Sequence, residues 1–169
     1  MSVIVVMGVA GCGKTTVGRE LASRLGWAFL DADDYHPSAN VEKMRSGRPL
    51  TDEDRWPWLD RLNDLLRTGG SSVLACSALK QKYRDRIAAG VEDVRWVHLT
   101  GDFDLIESRL AARKGHYMPA RLLASQFETL EPPGAALTFD VADSPEVLVA
   151  RILEAVTRDW PTRGTAAPG

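Results

Sequence analysis

The first residues that could do chemistry form a glycine-rich loop near the start of the chain. Residues 8–15 read Gly-Val-Ala-Gly-Cys-Gly-Lys-Thr and fit the phosphate-binding pattern G-x-x-x-x-G-K-[S/T]. In such a loop the backbone amides curl around phosphate groups, Lys14 reaches the β and γ phosphates, and the Thr15 hydroxyl ligates Mg²⁺. A chance glycine-rich turn would not need the apolar run before it and the helical spacing after it. We therefore predict a nucleotide site at Gly8, Val9, Ala10, Gly11, Cys12, Gly13, Lys14, Thr15 and Thr16.

Three acidic residues, Asp31, Asp33 and Asp34, follow the apolar run Trp27–Leu30. They lie at the strand end where α/β sheets bind ligands. We expect Asp31 to bind Mg²⁺ or its water. If the backbone stays extended, Asp33 shares a side with Asp31 and could act on an acceptor hydroxyl, whereas Asp34 points away. The alternative is that these acids cap the next helix.

Two groups of basic residues could bind further anionic groups. Arg45, Arg48 and Arg55 lie close to two tryptophans in a polar stretch, which suits a carboxylate pocket because the arginine fork matches a carboxylate. The alternative is a solvated charged face.

The second basic group stands at the end of a predicted helix. It comprises Arg109, Arg113, Lys114 and His116 around Gly115, with Pro119 opening another helix. A mobile lid could bring such an arginine over a γ-phosphate, where it would offset charge and exclude water. Basic residues there could also merely complement the helix dipole.

The elements that position these residues alternate between strand and helix. The predicted strands are Val3–Met7, Trp27–Leu30, Ser72–Cys76, Val94–Leu99 and Leu137–Val141. Helical spacing of apolar residues lies between them, ending at Gly26, at Gly69-Gly70 and at Gly90, and a last helix begins near Pro145. This alternation predicts an α/β fold with a mostly parallel sheet covered on both faces.

Composition limits the classes of protein that remain. The 169 residues are 44% hydrophobic, and this length and composition predict one domain over residues 1–160. The net charge of −2 provides no positive electrostatic field that would attract nucleic acid or an anionic membrane. Residues 161–169 have nothing to bury, so we expect a disordered tail. Two cysteines without paired spacing, and no signal-like or membrane-spanning run, favour a cytoplasmic protein.

The guanine-reading motif Asn-Lys-x-Asp of GTPases is missing, because neither asparagine of the chain stands in that context. The remaining pattern resembles the gluconokinases, small-molecule kinases with a P-loop. The matching stretches are residues 8–15, 31–37, 40–44, 47–59, 76–80, 83–84, 113–118 and 125–131. Together they are far more specific than the loop alone.

This resemblance implies transfer of the γ-phosphate of ATP, with Mg²⁺, to the 6-hydroxyl of D-gluconate. It implies a three-layer P-loop fold with a five-stranded parallel sheet and a helical lid, and it allows a homodimer. By similarity, Lys14, Asp33 and Arg113 are catalytic, Arg109 contacts nucleotide, and Thr15 and Asp31 serve the metal. The implied acceptor pocket comprises Asp33, His36, Arg48, Arg55, Lys80 and Arg84.

Two other functions stay open. A kinase for another small acid, such as shikimate, is disfavoured because the region after Cys76 lacks the expected glycine triplet. A regulator that binds ATP without transferring phosphate is disfavoured because Asp31 and Asp33 are both present beside the complete loop.

Overall fold

A five-stranded parallel sheet forms the centre of the protein. The computed structural model describes residues 1–113 and 120–158. The strands are β1 (Val3–Met7), β2 (Ala28–Asp31), β3 (Ser72–Ala75), β4 (Val94–Thr100) and β5 (Leu137–Asp140), in the sheet order β2-β3-β1-β4-β5. Each neighbouring pair is parallel. The prediction of five strands in a parallel sheet is confirmed.

Strand β1 lies in the middle of the sheet, and all five of its side chains are fully buried. Successive side chains of a strand point to opposite faces. Ile4 and Val6 accordingly join one hydrophobic core, and Val3, Val5 and Met7 join the other. A strand buried on both faces needs an unbroken apolar run, which is why this strand is readable from sequence.

Seven α-helices flank the sheet within the described residues. They are α1 (Lys14–Leu25), α2 (Ser38–Arg45), α3 (Asp52–Thr68), α4 (Gln81–Ala88), α5 (Phe103–Ala112), α6 (Ala120–Thr129) and α7 (Pro145–Arg158). Side chains of α1, α5, α6 and α7 fill the first core, and side chains of α3 and α4 fill the second. The expected three-layer α/β fold is confirmed.

The carboxyl ends of the first three strands meet at one edge of the sheet. In the register of the parallel pairs, Ala75 of β3 is level with Val6 of β1 and with Asp31 of β2. The loops that follow these strands therefore converge, and they carry the phosphate-binding loop, the acidic segment and the segment from Cys76. This edge positions the residues singled out in the sequence.

Helix α3 starts earlier than its apolar spacing indicates. In the sequence, the spacing of Trp58, Leu62, Leu65 and Leu66 predicts a helix from Trp58. The helix in fact begins at Asp52. Thr51 and Asp54 form a reciprocal capping box in which each side chain accepts from the other residue's backbone N–H. Such a box satisfies two otherwise unpaired donors and defines the first turn without apolar residues.

Some sequence predictions fall outside the described residues. Lys114 and His116 of the basic group, Pro119 and the predicted tail at residues 161–169 all lie there. Helices α5 and α6 on either side of residues 114–119 are described. No helix in the described ranges is long and apolar enough to cross a membrane.

Candidate active site

The loop between β1 and α1 has the backbone shape that its glycines allow. Gly8, Gly11 and Gly13 have φ values of 149°, 80° and 91°. A Cβ on Gly8 would lie 2.6 Å from the carbonyl oxygen of Leu99, and one on Gly11 would lie 2.5 Å from Cγ of Leu110. Conformation and space therefore both require glycine at these two positions.

Lys14 crosses the mouth of this loop. Its Nζ donates to the carbonyl oxygens of Gly8 at 3.0 Å and Val9 at 2.9 Å. Helix α1 begins at Lys14. No side chain caps its N-terminus, because the N-cap residue is Gly13. The positive end of a helix and a lysine charge thus meet at the same point, which favours binding of phosphate groups.

Thr15 and Asp31 bring oxygen atoms together beside the loop. The Thr15 hydroxyl donates to Oδ2 of Asp31 at 3.2 Å. Hydroxyl and carboxylate oxygens are the hard ligands that Mg²⁺ takes, and it usually completes its shell with water and phosphate oxygens. The pair therefore fits a magnesium ion held jointly with a nucleotide.

The expectation of extended backbone from Asp31 to Asp33 is wrong. A 3₁₀ turn begins directly after β2 and spans Ala32–Tyr35. Oδ1 of Asp31 accepts from the backbone N–H of Asp33 at 3.0 Å, so Asp31 caps this turn while its other oxygen meets Thr15. The metal and capping interpretations of Asp31 are therefore compatible, and the turn, not strand alternation, places Asp33.

Asp33 lies among charged groups at the edge of the cleft. Asp33 is exposed at the surface, but neighbouring atoms displace part of the water around its carboxyl. This loss of hydration is the main cause that raises the pKa of Asp33, and the negative charge of Asp31 adds to it. The charges of His36 and Lys14 act in the opposite direction. Asp34 also raises the pKa of Asp33 but is the weakest of these causes. A carboxylate with a raised pKa is a better proton acceptor than an ordinary surface aspartate.

His36 is held flat against an aromatic wall. Its ring stacks on Trp58 at 4.1 Å between centroids, and the Trp58 Nε1–H donates to the carbonyl oxygen of Ala32 at 2.8 Å. Burial lowers the pKa of His36, the charge of Asp33 raises it, and that of Arg55 lowers it. His36 is thus placed beside both Asp33 and Arg55.

Arg55 and Tyr83 form a further wall of the cleft. Nη1 of Arg55 donates to the Tyr83 hydroxyl at 3.2 Å, and that hydroxyl donates to Oδ1 of Asp52 at 2.5 Å. Burial and the bond to Asp52 raise the pKa of Tyr83 to about 12, so it stays neutral. Nζ of Lys80 lies 5.9 Å from the centre of the Tyr83 ring. Nζ of Lys82 lies at the same distance, so three cations are gathered around one buried tyrosine.

Two residues of the expected acceptor pocket have other contacts. Arg48 is exposed, and its Nε donates to Ser46 Oγ at 3.0 Å. Arg84 is only 3% exposed, and its guanidinium donates to Gln81 and to three backbone carbonyl oxygens. The sequence interpretation of Arg84 as a substrate ligand is corrected here, since its donors hold the protein backbone.

Arg109 and Arg113 face the phosphate-binding loop from the end of α5. They line a cavity of about 350 Å³ together with residues of the loop, of α1, of the segment before α7 and of α7 itself, namely Gly11, Cys12, Gly13, Thr16, Val17, Asp143, Pro145 and Leu148. The structure thus brings both predicted arginines to the loop. The contribution of α7 was missed, because a distant helix start carries no local signal for a nucleotide cavity.

Gln126 is another residue that sequence reasoning missed. Its Oε1 accepts from the backbone N–H of Ala10, inside the phosphate-binding loop, at 2.7 Å. Gln126 lies on α6, so this bond joins the helix after residues 114–119 to the loop. Gln126 lies within residues 125–131, one of the stretches that resemble the gluconokinases, but nothing in the sequence indicates that it bonds to Ala10.

In this protein a phosphate-binding loop follows the central strand of a parallel α/β sheet, and the carboxylates of Asp31 and Asp33 lie beside it. This arrangement defines a small-molecule kinase with a P-loop. A family model described as an AAA domain matches residues 3–133. The chain is 47% identical over 164 residues to the thermoresistant gluconokinase of Escherichia coli (strain K12), covering 92% of this chain and 94% of that one. The chain belongs to the gluconokinase family.

Solved structures agree with this assignment. A crystal structure of a gluconokinase from Sinorhizobium meliloti 1021 superposes with a TM-score of 0.86 at 40% identity, covering 93% of this chain and 92% of that one. A shikimate kinase from Bacteroides thetaiotaomicron superposes with a TM-score of 0.68 at 17% identity, covering 92% and 98%. The second likeness shows a shared fold alone.

Proposed function

We propose that this protein transfers the γ-phosphate of ATP to the 6-hydroxyl of D-gluconate, giving 6-phospho-D-gluconate and ADP. The observation that carries the proposal is the position of Asp33, which lies close enough to Lys14 on the nucleotide side and to His36 on the acceptor side to interact with both. A carboxylate at that junction can serve both halves of a phosphoryl transfer. Membership of the gluconokinase family supports gluconate as the acceptor.

The nucleotide half of the site holds the phosphates. Lys14 exchanges its bonds to the loop carbonyls for bonds to the β and γ phosphates, and the first turn of α1 adds backbone donors. Thr15 and Asp31 are the residues that would hold Mg²⁺. When bound, this metal neutralises charge that builds up on the phosphates during transfer.

Asp33 acts on the acceptor hydroxyl. It orients the hydroxyl of carbon 6 in line with the γ-phosphorus and accepts its proton as the new oxygen–phosphorus bond forms. The bond from the γ-phosphorus to its bridging oxygen breaks, and ADP leaves with that electron pair. The raised pKa of Asp33 suits this proton transfer, because a general base works best when its pKa lies near the operating pH.

The other end of the acceptor binds through its carboxylate. Arg55 and Lys80, gathered at Tyr83, supply positive charge there, and Arg48 can reach the same ligand from its exposed position. An arginine fork pairs with a carboxylate through two bonds, which gives direction as well as charge. A neutral sugar would offer these cations no carboxylate to bind.

Arg113 and Arg109 act from the lid side. Both line the cavity at the loop, and Arg113 ends α5. Arg113 stabilises the phosphoryl group in flight, while Arg109 contacts bound nucleotide. Positive charge supplied over the γ-phosphate is a recurring part of phosphoryl-transfer enzymes.

The proposal includes the setting of the reaction. The partner is a small molecule rather than nucleic acid or membrane, in keeping with the net charge of −2. Two buried free cysteines suit the reducing cytoplasm. A homodimer, as in many such kinases, is the proposed assembly, and sedimentation in solution tests it.

A coupled assay of ADP release over a panel of sugar acids and sugars tests the activity. D-gluconate should give the highest kcat/KM, and ³¹P NMR of the product should place the phosphate on carbon 6. Shikimate serves as the control for another small acid. Equal rates with glucose and gluconate, or ADP release that is the same without acceptor, would contradict the proposal.

A further inference from the structure

Asn40 is a buried residue whose side-chain amide contacts both the backbone of Asp54 and the ring of His36. Asn40 lies on α2 and is 5% exposed. Its Nδ2 is 2.8 Å from the carbonyl oxygen of Asp54 and 3.3 Å from Nδ1 of His36. A buried amide must direct its donors and acceptor correctly, since an unpaired buried polar group is costly.

The Asp54 carbonyl determines which way the Asn40 amide faces. A backbone carbonyl oxygen can only accept, so the group opposite it must be the amide NH₂. Turning the amide over would bring its oxygen against the oxygen of Asp54. One hydrogen of Asn40 therefore points to Asp54, and the second is left for Nδ1 of His36.

An NH₂ donor at Nδ1 determines where the proton of His36 sits. Nδ1 must present its lone pair, so the neutral ring carries its proton on Nε2. The stack on Trp58, itself tied to Ala32, holds the plane of the ring. Since Nδ1 is taken by α2, Nε2 is the nitrogen left for a ligand.

We infer that Asn40 is a positioning residue of the acceptor site, which holds His36 as the neutral Nε2–H tautomer so that it donates to a hydroxyl oxygen of the sugar acid. In this state His36 binds an oxygen lone pair and does not compete with Asp33 for the hydroxyl proton. The opposite tautomer would present a second proton acceptor in the cleft. The part played by the ligand rests on the proposed function, whereas the tautomer does not.

The surrounding charges are compatible with a neutral ring. Asp33 of the 3₁₀ turn favours the imidazolium, while burial and Arg55 of α3 oppose it. The Lys43–Asp54 ion pair, which bridges α2 and α3 at 2.5 Å, lies beside the carbonyl that orients Asn40. A charged His36 would also lower the pKa of Asp33 and weaken it as a base.

The first test is ¹⁵N NMR of histidine-labelled protein at pH 7.5, with His36 assigned by comparison with the His36→Gln spectrum. The chain has three histidines, so the assignment is tractable. We expect Nδ1 of His36 to resonate as an unprotonated nitrogen and Nε2 as a protonated one. A protonated Nδ1 in the wild-type protein would overturn the inference without any variant.

The second test is Asn40→Asp, whose carboxylate accepts where the amide donated. We expect His36 to shift to the Nδ1–H form or to the imidazolium, and KM for D-gluconate to rise about tenfold, the scale of one lost hydrogen bond. The KM for ATP should change less than twofold. Asn63→Asp is the matched control, because Asn63 is also buried and donates to two carbonyls, those of Ile87 and Ala89.

The outcomes separate this inference from the proposed function. If the control variant raises KM as much as Asn40→Asp does, or if the tautomer changes and KM does not, the positioning role is wrong. If the protein does not phosphorylate D-gluconate at all, the proposed function fails, and the wild-type NMR result still decides the tautomer.

Discussion

Arg84 of α4 donates through Nη2 to the backbone carbonyl oxygen of Glu131 at 2.8 Å, across 47 residues of sequence. Its Nη1 donates to the carbonyl oxygens of Ala78 and Leu79. One guanidinium thus ties the segment after β3 to the segment after α6. The segment after β3 lies at the edge of the sheet that carries the site, so Arg84 supports the site through the protein backbone.

Arg84→Lys should lower the stability of the protein. The ammonium group keeps the charge but cannot reach three carbonyls in fixed directions, and each unpaired buried group costs about 1–3 kcal/mol. We expect a clear fall in Tm by thermal unfolding. Arg86→Lys, in an exposed ion pair with Asp60, is the control and should change Tm much less. Equal losses in both variants would contradict the supporting role.

Lys14→Ala should abolish most activity and leave the fold intact. Lys14 neutralises phosphate charge, and its present bonds are to loop carbonyls at the surface of the cleft. We expect kcat to fall about 10²-fold or more, the scale for removing an electrostatic stabiliser. Steady-state kinetics and Tm measure the two effects. If Lys14→Ala has near-normal kcat and a normal Tm, the assignment of residues 8–15 as a phosphate-binding loop is wrong.

Asp33→Asn should cost far more activity than Asp34→Asn. The amide keeps the shape of Asp33 but accepts no proton, so we expect kcat to fall about 10²-fold or more. Asp34 acts only weakly on Asp33 and serves as the neighbouring control. A loss confined to Asp34→Asn would show that the base is the other carboxylate.

Arg113→Ala should lower kcat more than it raises KM for ATP. An arginine that acts on the phosphoryl group in flight contributes mainly in the transition state, and such interactions appear in kcat. Arg24→Ala, in an exposed pair with Glu20 away from the cavity, is the control. If kcat is unchanged and KM for ATP rises, Arg113 binds the ground state.

Stability should fall with acid in a pH window to which Asp54 contributes, together with Asp52, whose pKa is also lowered to about 2. The bonds from Lys43 and from the Thr51 backbone lower the pKa of Asp54 from 3.8 to about 2. Because the folded pKa lies below the unfolded one, this stabilisation is present above about pH 4 and is lost as pH falls towards 2. Asp54→Asn should flatten the dependence of Tm on pH across that window. If the Tm of Asp54→Asn falls with pH as steeply as the Tm of the wild type, Asp54 does not contribute to this acid dependence.

Local patterns determined much of this protein. The unbroken apolar run Val3–Met7 and the glycines at 8, 11 and 13 predict a buried strand and a phosphate loop, because burial on both faces and positive φ each restrict the residue types at their own positions. Gly26, in the left-handed conformation after α1, likewise ends a helix where the sequence indicates.

Only the tertiary structure decided which side chains share the cleft. Arg48, Arg55 and Arg84 look alike in sequence, yet one is exposed, one bonds Tyr83 and one holds backbone carbonyls. The bonds from Asn40 to Asp54 and from Ala10 to Gln126 join residues far apart in the chain. A hydrogen bond forms where the fold brings a donor and an acceptor together, and that distance is set by packing of the whole chain rather than by neighbouring residues.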